Sequence, residues 1–101
     1  MKISRVDSNQ ADIVRAFKMQ RCSVQHLHAV GEGCPDLLLG VQTKTGGVNT
    51  LVEVKSGKGK LTKAQARWHA DWNGQVALVH DVAEAIKLIR RVRRQAAGHP
   101  P

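Results

Sequence analysis

Two apolar runs on either side of a glycine pair constrain this chain most. "DLLLGVQTK" (36–44) starts as a continuous apolar stretch, and "VNTLVEVK" (48–55) follows it after the turn signal "TGG". Runs this short, bounded by turn residues, read as strands joined in a hairpin. A strand buried on both faces needs helices packed on both sides of its sheet. Yet the second run carries Glu53 and Lys55. By strand alternation, Leu51, Glu53 and Lys55 share one side, and Val52 and Val54 the other. Charges in a covered strand are costly unless something uses them.

The rest of the chain supplies that cover. "DSNQADIVRAFKMQRC" (7–22) reads as a helix capped by Asp7 or Ser8, with Ile13, Val14 and Phe17 as its apolar stripe. "SVQHLHAV" (23–30) alternates as a strand, and "GEGCP" (31–35) is a loop. "SGKGK" (56–60) is a basic loop. "LTKAQARWHADWNG" (61–74) is a helix with Thr62 as N-cap and Gly74 as its stop. "QVALVH" (75–80) is a strand. "DVAEAIKLIRRVRRQ" (81–95) is a helix capped by Asp81, with Val82, Ala85, Ile86 and Ile89 facing inward. The order α-β-β-β-α-β-α implies an α/β fold, a mixed sheet of about four strands flanked by helices. At 101 residues the expectation is a single domain, 1–101, with about 96–101 as a flexible tail.

A net charge of +8 favours polyanionic partners, with nucleic acid first among them. No apolar stretch approaches the roughly 18 residues of a membrane span, and the N-terminus lacks a signal-type apolar region. We therefore expect a cytoplasmic protein with no membrane partner. Cys22 and Cys34 are too far apart for a CxxC motif and read as free thiols. Phe17, Trp68 and Trp72 are the only aromatic residues among Phe, Trp and Tyr, which counts against a base-stacking single-strand binder.

In a meander, the start of the 36–44 strand lies beside the end of the 48–55 strand. Asp36 can therefore approach Glu53 and Lys55. Two carboxylates and a lysine at one sheet edge of a basic protein point to a divalent cation acting on a phosphodiester. Lys55 beside carboxylates stays protonated, which suits it to orient water and stabilise the transition state. Gln65 falls within an inward stripe of Leu61, Ala64, Gln65, Trp68 and Trp72, so its amide needs a polar partner.

Pro35-Asp36, sixteen intervening residues, then Glu53-Val54-Lys55 resembles the PD-(D/E)xK nuclease signature. With "NQADIV", "GCPDLLLG", "LVEVK" and "LTKAQARWHADW" in order, the chain is more closely similar to the VRR-NUC branch, over about Asp7 to Ile89. That resemblance implies a restriction-endonuclease-like core. It implies that Asp36, Glu53 and the Val54 carbonyl bind Mg2+, with Mn2+ as a substitute, and that Lys55 is the catalytic lysine. It places Asp12 where relatives carry a first-helix glutamate, with Asn9 or Gln10 as substitutes, and matches Gln65 to a recurrent polar residue.

Each residue also has an ordinary reading. Glu53 and Lys55 could be an edge-strand charge pair, Asp36 a turn residue, Asp12 a first-turn helix acid and Gln65 a structural amide. The joint pattern favours the site. His26, His28 and Cys34, with Cys22, suggest zinc only at a spacing that matches no usual module. His69 and His80 read as surface or packing residues. Lys58, Lys60 and Lys63 read as phosphate contacts. Arg90, Arg91, Arg93 and Arg94 suit either phosphate or a helix C-terminus. The expected function is a Mg2+-dependent DNA endonuclease acting on duplex or branched DNA, such as a four-way junction, as a two-fold homodimer. The alternatives are a non-catalytic nucleic-acid-binding module and a structural subunit of a phage or repair complex.

Overall fold

The expected hairpin forms, but its turn falls just before the glycine pair. In the computed structural model, which describes residues 9–98, the turn falls at Lys44 and Thr45, and Gly46 and Gly47 already belong to the second strand. Helix α1 (Gln10–Met19) leads to β1 (Cys22–His26), β2 (Leu37–Thr43) and β3 (Gly46–Val54). Helix α2 (Lys63–Asp71) crosses to β4 (Val76–Val79), and α3 (Val82–Ala96) follows. The sheet order is β1-β2-β3-β4, antiparallel at the first two pairings and parallel at the third. This is the mixed α/β architecture that the alternation of helical and strand periods implied.

Alternation assigns the two sheet faces. Leu37, Leu39 and Val41 of β2, with Val52 and Val54 of β3, pack into one core with Ile13, Val14 and Phe17 of α1 and Ala85, Leu88, Ile89 and Val92 of α3. The other face carries Leu38, Leu51 and Glu53 and meets α2, which has no buried residue of its own. A carboxylate is thus placed on the thinly covered side of a strand whose opposite side is fully packed.

Several local expectations shift. The strand expected over 23–30 ends at His26, and residues 28–30 turn instead. The inward stripe of α3 is Ala85, Leu88, Ile89 and Val92, at i, i+3, i+4 and i+7. Val82, in the first turn, is 38% exposed, and Ile86 is half-buried. In α2 the stripe is only half covered: Ala64 is exposed, and Trp72 lies beyond the last helical residue with extended backbone. Asp7, Ser8 and the residues after Gly98 lie outside the described residues.

Candidate active site

Asp36 precedes β2 by one residue, and the β2–β3 register runs Leu37 opposite Val52. One further step sets Asp36 opposite Glu53. The Asp36 carboxylate turns back onto β3 and accepts a hydrogen bond from the Val54 N–H at 2.8 Å. That contact fixes one carboxylate oxygen. Within a strand the N–H and C=O of one residue point to the same neighbour, so the Val54 carbonyl lies on the Asp36 side of the strand. Glu53 is 1% exposed. Its Oε2 accepts from Gln65 Nε2 at 3.3 Å, and its Oε1 lies 3.7 Å from His69 Nε2.

Gln65 has two tasks, and local helix chemistry sets the first. Thr62 is the N-cap of α2, with its hydroxyl accepting from the Gln65 N–H at 3.2 Å. Gln65 Oε1 reciprocates by accepting from the Thr62 N–H at 2.9 Å, completing a capping box. With Oε1 committed to a donor, the amide must aim its NH2 outward, and it meets Glu53. The cap therefore fixes the orientation of a donor to the buried carboxylate.

The loop before Asp36 is pressed against the same helix. Gly33 has φ +82°, and a Cβ there would stand 2.5 Å from the Ala64 carbonyl oxygen. Only glycine allows this approach. It brings Cys34 and Asp36 towards the first turn of α2. Burial pushes the Cys34 thiol above its ordinary pKa, and the charges of Glu53 and Asp36 push it further, so Cys34 is a neutral thiol between loop and site.

Lys55 continues β3, with its N–H donating to the Val79 carbonyl at 3.0 Å. Its half-buried side chain makes no hydrogen bond or ion pair among the described residues. Lys58 and Lys60 follow in the exposed loop, and exposed Lys63 opens α2.

Asp12 is not brought to these residues. Ile13, Val14 and Phe17 turn inward, which leaves Asp12 on the outer surface, where it pairs with Arg15 at 3.0 Å. The inward polar residue of α1 is Gln10, 3% exposed, whose Oε1 has no hydrogen-bond partner among the described residues. Asn9 clamps two strand ends, donating to the carbonyls of His80 and Lys55 and accepting from the Ser56 hydroxyl at 3.1 Å.

The VRR-NUC domain family matches residues 4–83, most of the chain. This protein belongs to the VRR-NUC family. Neither a curated protein nor a solved structure matches it. Membership places the chain in the VRR-NUC branch of the PD-(D/E)xK nuclease superfamily and implies a nuclease-type function. Most of α3, including its arginine cluster, lies beyond the matched span. No helix among the described residues is long and apolar enough to cross a membrane.

Two histidines of this VRR-NUC chain do more than fill surface. His69, with a side chain 15% exposed, stands beside Glu53. Burial lowers its pKa below the ordinary imidazole value. The signal for it was its place four residues after Gln65, one helical turn along the same face. His80 bridges Glu84 Oε1, at 2.9 Å from Nδ1, and the Gly59 carbonyl, at 3.1 Å from Nε2. It thereby ties the lysine loop to the end of β4.

The donor set suits a hard cation. No cluster of three or more His, Cys, Asp and Glu poised for a metal exists among the described residues, so His26, His28 and Cys34 form no zinc site. Asp36, Glu53 and the Val54 carbonyl offer oxygen alone. Mg2+ takes one or two carboxylates and keeps several waters, which this sparse set allows.

Proposed function

We propose that this chain is a divalent-cation-dependent DNA endonuclease. The carrying observation is the placement of a buried Glu53 one strand from Asp36, with Lys55 next on the same face and an amide donor, Gln65, fixed on Glu53. A hard-cation site uses two carboxylates set opposite one another in this way. Asp36, Glu53 and the Val54 carbonyl would hold Mg2+ or Mn2+, which supplies charge neutralisation and Lewis acidity at the phosphodiester.

The chain's own groups do the rest. The Asp36 carboxylate is oriented by the Val54 N–H, and the Glu53 carboxylate by Gln65. The Lys55 ammonium orients the attacking water and offsets charge gathering on the phosphoryl oxygens. The water oxygen forms the new bond to phosphorus as the P–O3′ bond breaks. The products are a 5′-phosphate and a 3′-hydroxyl. Lys58, Lys60 and Lys63, beside the site, contact backbone phosphates and position the duplex without reading its sequence. With one site per chain, symmetric cutting of two strands uses a two-fold homodimer, and a branched substrate such as a four-way junction suits that symmetry.

The test is a cleavage panel of labelled duplex, flap and four-way junction DNA, with Mg2+ or Mn2+, for the wild type, Glu53→Ala and Lys55→Ala. Cleavage by the wild type alone is expected. Absence of metal-dependent cleavage on every substrate would sink the enzyme reading, and binding without cleavage by all three would favour a binding module.

A further inference from the structure

The end of the sheet remote from Glu53 carries a cleft of about 570 Å3, lined by Arg21, Gln42, Thr43, Lys44, Arg93 and Arg94 among others. Four of these residues are cationic, and no carboxylate lines the cleft. Its walls are fixed. The Arg93 guanidinium donates to the Gln20 carbonyl at the end of α1 and to the Gln42 carbonyl on β2. Thr45 Oγ1 ties the hairpin to the Ala96 carbonyl of α3 at 3.1 Å.

The ordinary explanation of such arginines is compensation of helix C-termini. It accounts for Arg93. Arg94 also stands in the last turn of α3, but Arg21 and Lys44 lie outside any helix, and the exposed side chains of all three make no hydrogen bond or ion pair among the described residues. Arg21 is also held at φ +65°, in the left-handed position that follows a helix and that glycine adopts without strain. A strained backbone position is thus occupied by a cation that opens into the cleft.

Location decides which phosphates the cleft can serve. Thr43, the last of the seven residues of β2, lies seven positions beyond Asp36, so the cleft lies about 23 Å from the carboxylates at the usual strand rise. Thr43 is on the face covered by α1 and α3, whereas Glu53 faces α2. One straight duplex seated on the carboxylate edge does not reach around to the opposite face at the opposite pole.

Resting on the nuclease reading above, we infer that this cleft is a second phosphate-binding site, one that holds the backbone of a different helical arm of the same branched DNA. The site at Asp36 and Glu53 cuts one arm while Arg21, Lys44 and Arg94 grip another. Substrate selection then comes from the angle between arms, with no base contact needed.

The test compares the wild type with Arg21→Gly/Lys44→Gln/Arg94→Gln. Equilibrium binding to a four-way junction and to a short linear duplex is measured without metal across a salt series. Each lost phosphate contact lowers the slope of log K against log salt by about 0.9. For the junction the slope should fall by about 2–3, and for the linear duplex it should not change. Glycine fits the left-handed position, so the thermal midpoint should equal or exceed that of the wild type. Metal-dependent cleavage of the short duplex should also persist. An unchanged junction slope overturns the inference, and so does an equal fall on the linear duplex. If the wild type fails to cleave any DNA, the nuclease reading fails, and the junction slopes still report on the cleft by themselves.

Discussion

Replacing Gln65 with leucine removes two hydrogen bonds that serve different ends. One accepts from the Thr62 N–H and belongs to the helix cap, and the other donates to Glu53. Thr62→Ala removes the other half of the capping box and leaves the Glu53 contact in place. Loss of a cap costs about 1 kcal/mol. A hydrogen bond to a charged group is worth about 1.5–3 kcal/mol, and a 3.3 Å contact belongs at the low end. Gln65→Leu should therefore cost about 2–2.5 kcal/mol, roughly twice Thr62→Ala. Urea unfolding of the metal-free proteins measures the difference. Cleavage rates per folded molecule should separate further, with Thr62→Ala near wild type and Gln65→Leu slowed by tenfold or more, a loss of about 1.4 kcal/mol in the barrier. Equal stability losses and equal rates for the two variants would refute a distinct role for Gln65 at Glu53.

Gly33→Ala should destabilise by about 2 kcal/mol or more and slow cleavage, because a left-handed φ and a 2.5 Å approach to the Ala64 carbonyl both oppose a side chain; thermal melts with activity assays check both. Asp12→Ala should leave stability within about 0.5 kcal/mol and cleavage unchanged, since its exposed pair with Arg15 lies away from the site; a large rate loss would return Asp12 to the reaction. The hydrogen bond to Glu84, then that to the Gly59 carbonyl, raises the His80 pKa above the ordinary imidazole value. A raised folded-state pKa means the charged brace stabilises fully below the ordinary value and is lost as pH rises through the folded one. The stability gap between wild type and His80→Ala should shrink from pH 6 to pH 9, and a gap that widens with pH would contradict the bridge.

The fold was legible because helix and strand periods alternate cleanly and turn residues separate them. Thr62 and Asp81 were readable as N-caps, and both side chains accept the expected backbone hydrogen bonds. The register that sets Asp36 across from Glu53 follows from the hairpin and needs no long-range information. What sequence could not supply was the rotation of helices about their axes. Val82 and Ile86 looked as fit for the core as Leu88 and Val92, and packing against α1 and the sheet chose between them. The same freedom hid the choice between Asp12 and Gln10 on α1. His69 was missed because the tryptophans defined the α2 stripe in sequence, whereas Gln65 and His69 are the α2 residues that stand beside Glu53. Asn9 was read as a possible site residue, and its clamp on the carbonyls of Lys55 and His80 spans separations that no local pattern encodes.

The central claim is that Asp36 and Glu53 form a divalent-cation site that drives phosphodiester cleavage. The most direct measurement is the initial cleavage rate as a function of Mg2+ concentration for the wild type and Asp36→Asn, at matched folded concentration. The account predicts a saturable dependence on Mg2+ for the wild type, abolished by chelation, and a rate for Asp36→Asn that is lost or recovered only at far higher Mg2+. A wild-type rate indifferent to chelation, or an Asp36→Asn curve superimposed on the wild type, would contradict it.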